Sequence, residues 1–229
     1  MAVRPVRLNT AIAVLFMVGS TCFAVGSAPP YASAVGSVAD LVTFVVGAIF
    51  FTLASFSQLV QAQSPAMQPV SPSQSGERAP IVLRSWLPHD RGWLAAATQF
   101  PGTLFFNVTT SAALVHGLSV AQQDRHVWRP DFLGSCLFLV ASAFALAALQ
   151  TGEWRRWRPR DLAWLIAWLN MVGSIAFMAS ALASYVLPKT GEYISEAWSD
   201  AGTFIGAICF FLGAALMIPF WREATKVRD

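Results

Sequence analysis

Residues Ile12–Phe23 read IAVLFMVGSTCF, and residues Ile166–Phe177 read IAWLNMVGSIAF. Eight of the twelve aligned positions are identical. The segments that follow also correspond. Asp40–Phe51 is DLVTFVVGAIFF and Asp200–Phe211 is DAGTFIGAICFF. All four are continuously apolar, without the strict alternation of a barrel strand, so they read as helices. The first and last helix pairs therefore look like copies of one hairpin.

A shorter pattern extends this reading to the whole chain: glycine, a small residue, any two residues, then phenylalanine. It pairs Gly19 with Phe23, Gly47 with Phe51, Gly102 with Phe106, Gly134 with Phe138, Gly173 with Phe177 and Gly206 with Phe210. Residues four apart share a helical face, so each helix presents a glycine hollow beside a phenylalanine knob. Lipid tails are as apolar as leucine. Helices in a bilayer therefore associate through close packing of this kind, and Gly202–Gly206 adds a GxxxG face. Helix packing is the expected role of all twelve residues.

The pattern occurs once in each of six apolar stretches: Leu8–Ala28, Val38–Val60, Leu94–Leu118, Phe132–Leu149, Leu162–Leu187 and Ala201–Trp221. A bilayer core is crossed by roughly 20 helical residues, and each stretch is long enough. With 12% charged residues there is too little charge to coat a water-facing surface. The expected fold is an all-α membrane protein, a six-transmembrane-helix bundle of three two-helix hairpins. Residues 1–60 form a two-helix unit. Residues 61–80, rich in Gln, Ser and Pro, read as a flexible cytoplasmic linker. Residues 81–229 form a four-helix unit whose last hairpin, 162–221, repeats the first.

Orientation follows from the positive residues. Twelve of the fifteen lysines and arginines fall on the side of the two termini, and Arg125, Arg129 and Lys189 fall opposite. The positive-inside rule then places both termini in the cytoplasm of a multi-pass cell-membrane protein. Arg125 and Arg129, together in one outer loop, fit that assignment least well. The net charge of +3 is a matter of topology and not a nucleic-acid footprint. Tryptophans 86, 93, 128, 154, 157, 198 and 221 stand near span ends, as interfacial anchors do. The first stretch also admits a signal-peptide reading, with Ala32-Ser33-Ala34 as the cleavage site and five spans remaining.

The helices of form MVGS-x-x-F and G-x-x-F-F resemble the YrhK-like family of small bacterial membrane proteins. The resemblance covers the first and last hairpins best. It implies a membrane location and hairpin architecture, and no reaction.

Few residues invite chemistry. All twelve acidic residues lie at or beyond span ends, unlike those of a proton- or ion-coupled pump. Asp40, Asp131 and Asp200 each open an even-numbered stretch, where a carboxylate can cap free N–H groups; cation binding is the alternative. The third stretch carries Thr98, Gln99, Thr103, Asn107, Thr109, Thr110, Ser111 and His116 around a kinking Pro101-Gly102. These side chains can bond to neighbouring helices. Gln99, Asn107 and His116 can instead line a solute path. His89, His116 and His126 lack the pairing of a di-haem site, and no lysine lies in a span for a Schiff base. No HExxH, GxSxG or phosphate-loop motif occurs. Cys22, Cys136 and Cys209 sit singly in apolar runs as small side chains. No catalytic residue, cofactor or metal is expected. The reading is a non-enzymatic membrane component that contacts lipid, a membrane-protein partner or a second copy of itself. A small-solute carrier or channel is the alternative.

Overall fold

A computed structural model describes residues 2–67, 79–149 and 156–226. The chain is built from α1 (Pro5–Gly26), short α2 (Pro29–Val35), α3 (Ser37–Ala62), α4 (Arg91–Ala113), α5 (Val120–Gln123), α6 (Arg129–Ala148), α7 (Leu162–Ala183) and α8 (Glu196–Lys226). A π-helical turn, Asp124–Trp128, joins α5 to α6, making one helix of 29 residues. Strands β1 (Ala2–Val3) and β2 (Ala79–Pro80) form a two-residue antiparallel pair.

The long helices run up and down in chain order. Each packs on the next, from α1 through α3, α4, α6 and α7 to α8, and α8 closes back on α1. Among the described residues, the start of α1, the end of α8, residues 63–67 and 79–90, residue 149 and residues 156–161 lie at one end, here the terminal end. The loops around α2, residues 114–119 and residues 184–195 form the far end.

Five helices are long and apolar enough to cross a membrane: α1, α3, the joined α5–α6, α7 and α8. The third stretch, Leu94–Leu118, departs from expectation. Helix α4 has 23 residues, but its threonines and amides hold its mean hydropathy down, and it is not among the five. Apolar onset also misjudges helix ends. The third helix stops at Ala113, five residues before Leu118, and the fourth begins at Val120, twelve before Phe132.

Of the linker read at 61–80, residues 68–78 lie outside the described residues, as do Trp154, Arg155 and Arg228. The linker's described flanks are packed. Gln61 and Ala62 complete α3, Met67 is fully buried, and the Ser64 hydroxyl accepts the Val82 N–H at 3.0 Å.

The core is aromatic. Phe23, Phe51, Phe106, Phe138, Phe177 and Phe210 are each at most 6% exposed. Phe23, Phe106 and Phe177, from the three outgoing helices, form one triangle with centroids 5.8–6.5 Å apart. Phe51, Phe138 and Phe210, from the returning helices, form a second with spacings of 5.6–6.4 Å. The triangles meet edge-to-face within hairpins at 5.1–5.5 Å, a geometry that brings the positive ring edge to the negative ring face.

Candidate functional site

The motif glycines explain how the rings come so close. Within each hairpin, the glycine of one helix faces the phenylalanine of the other. A Cβ at Gly19 would lie 2.7 Å from Phe51, and one at Gly47 would lie 2.9 Å from Phe23. In the second hairpin, Gly102 faces Phe138 at 2.9 Å and Gly134 faces Phe106 at 3.1 Å. In the third, Gly173 faces Phe210 at 3.2 Å and Gly206 faces Phe177 at 2.2 Å. The small residue after each glycine is needed as well: Ser20, Ala48, Thr103, Ser135, Ser174 and Ala207 are all buried to within 1%. Cys22 and Cys209 pack their Cβ atoms against Gly47 and Gly173.

The three residues read as a solute path are not brought together. Asn107 turns to α3: its amide donates to the Thr52 hydroxyl and, at 2.9 Å, to the Thr103 carbonyl of its own helix. Its neighbour Thr109 donates to the Val127 carbonyl in the π-helical turn. His116 lies beyond the end of α4, exposed in the loop, because the helix stops before it. Only Gln99 faces the axis.

Gln99 has company that the sequence reading missed. On the terminal side of the rings is a small space of about 20 Å³, lined by Gln58, Gln99 and Asn170 together with Phe16, Phe210 and Met217. That is the scale of one water molecule. Phe16, Gln99 and Asn170 each stand three residues before a motif glycine, so the register was present in the sequence. The Oε1 atom of Gln58 is buried without a hydrogen-bond partner. Nearby, fully buried Asn9 donates to the Met217 carbonyl at 3.2 Å, while its Oδ1 has no partner.

At the far end, the aspartates do not cap their helices. Asp40 is the fourth residue of α3, after Gly36 at the N-cap; Asp131 lies well inside the joined α5–α6; and Asp200 is the fifth residue of α8. Ser195 accepts the Trp198 N–H instead. The aspartates that do cap are at the other end of the bundle. Asp90 accepts from Trp93 N–H at 3.0 Å, and Asp161 accepts from Ala163 N–H at 3.0 Å. The reading failed because apolar onset marks where lipid compatibility begins, and these helices start earlier. Asp40, Asp131 and Asp200 make no ion pair or side-chain hydrogen bond among the described residues. Partial burial pushes the Tyr193 phenol up from its ordinary 10.0, and the charges of Glu196, Asp131 and Asp200 add to the effect.

Among the described residues, no three His, Cys, Asp or Glu side chains gather as metal ligands would. No family model, curated protein or solved structure matches this chain.

Proposed function

We propose that the chain is a six-span cell-membrane protein with cytoplasmic termini, made of three hairpins of which the first and last are repeats. It acts as a non-enzymatic membrane component through lipid or protein contacts. Support for counting α4 as a span comes from its outward face. Leu104 and Val108 are 44% and 50% exposed, in line with outward residues such as Ile49 and Ile175 on neighbouring helices. Two of its polar residues turn inward, with Thr103 and Thr110 buried. Average hydropathy merges these two faces. The first helix supplies Phe16 and Phe23 to the core, so signal cleavage would remove one corner of the ring triangles.

One observation carries the functional reading: six phenylalanine rings close the bundle axis, with none more than 6% exposed. A carrier needs a route past that layer. The test is flux from proteoliposomes loaded with a panel of small ions and neutral solutes. The expected result is leakage equal to that of protein-free vesicles.

The chamber of Gln58, Gln99 and Asn170 favours a second reading, a small-solute carrier with an inward-facing polar pocket. Flux above background that disappears in Gln99→Leu would establish it and overturn the first.

A further inference from the structure

A lateral groove opens between α6 and α7 at the far end. Its volume is about 630 Å³. Phe132, Leu133, Leu182 and Ile194 form an apolar floor, and the last three are 46–57% exposed. The aromatic wall is fixed. The Trp128 indole N–H donates to the Ala181 carbonyl at 2.8 Å, across to α7. Its ring stacks on Phe132 and meets Tyr185 edge-on at 4.8 Å.

The mouth of the groove is charged. Arg129 donates through Nε to Asp124 at 2.9 Å, and its Nη2 lies 2.8 Å from the same oxygen. A guanidinium has five N–H donors, so this contact leaves several directed outward, and the side chain is 63% exposed. Exposed Arg125, four residues earlier, makes two arginines against one aspartate in the segment 124–129. Both Asp124 and Trp128 belong to the π-helical turn, an irregularity concentrated at functional sites in helices.

We propose that this groove binds one phospholipid of the far leaflet, its acyl chain on the apolar floor and its phosphate at Arg129. The proposal rests on the membrane-spanning reading above. It also accounts for two arginines on the side that the positive-inside rule leaves poor in them. Groove polarity and membrane depth agree: a charged rim, a Trp–Tyr belt, then hydrocarbon. Arg129 at the rim, with exposed Arg125 one turn away on the same segment, favours an anionic headgroup over a zwitterionic one, whose choline charge it repels.

The test uses the full chain reconstituted in mixed phosphatidylglycerol and phosphatidylcholine vesicles, then extracted into detergent for native mass spectrometry. The expected result is one phosphatidylglycerol retained per chain, in preference to phosphatidylcholine. Arg129→Gln should weaken retention about tenfold, since it removes a charge-assisted hydrogen bond. Leu182→Trp should fill the trough and abolish retention with Arg129 intact. Ile194→Trp blocks the same space from a loop, with no helical residue substituted, and decides the matter if the other variants misfold. Retention without headgroup preference, or unchanged in monodisperse variants, overturns the groove while the chain still enters vesicles. A wild-type chain that stays monodisperse in detergent-free buffer overturns the membrane reading and the groove with it.

Discussion

Hairpins α4–α6 and α7–α8 share one contact and differ in nearly everything around it. In both, a motif glycine receives the phenylalanine of the partner helix. Around that contact α4 is polar, and it anchors itself through Asn107 on α3 and Thr109 on the π-helical turn. Helix α8 has the most hydropathic window of the five apolar helices, and its hairpin has the tightest glycine contact of the three. A Cβ at Gly206 would fall 2.2 Å from Phe177, and one at Gly202 would fall 2.7 Å from the Ala176 carbonyl. A short hydroxyl pair, Ser180 with Thr203 at 2.8 Å, lies beside it. The difference separates two requirements that hydropathy averages merge. The inward face decides how helices touch, and the outward face decides what solvent they tolerate.

The largest effect should come from the residue both hairpins use. Phe138 is 1% exposed and meets rings from α3, α4, α7 and α8. Phe138→Ala should cost about 3–5 kcal/mol, read as the unfolding free energy in mixed micelles. A cost near zero would mean that the triangles are not what closes the bundle.

Next comes the contrast between hairpins. Gly206→Ala should cost about 1–3 kcal/mol, because the added methyl would overlap a ring backed by packed helices. Gly134→Ala should cost less, since its nearest neighbours stand at 3.1 Å and need yield only slightly. Equal costs in the same unfolding assay would erase the contrast.

The smallest effect belongs to the polar anchor. Asn107→Leu should destabilise the bundle by about 0.6 kcal/mol, the average for hydrogen bonds between helices in a membrane, and by no more than about 1.7. A double-mutant cycle with Thr52→Val should recover most of that as coupling. No coupling would return Asn107 to the solute-path reading.

How much of this was legible beforehand depended on what each residue answers to. The six glycine–phenylalanine pairs were readable because four-residue spacing fixes a shared face before any neighbour is known. Their assembly into two triangles was not, since spacing within a helix says nothing about which helices meet across the axis. Gln99 was readable as a polar residue in an apolar stretch, but its partners Gln58 and Asn170 come from α3 and α7, far away in sequence. The three aspartates misled for the opposite reason: a local rule was applied at a boundary that hydropathy does not mark.

By itself, the sequence determined the solvent and the manner of helix contact. Continuous apolar runs must satisfy their backbone internally, and small-to-large spacing on one face allows close approach. Only the tertiary structure decided the closed ring of helices, the polar chamber and the groove at Arg129. Each of these is a coincidence of side chains from separate helices, set by rotation and neighbour choice, which packing of the whole chain fixes at once.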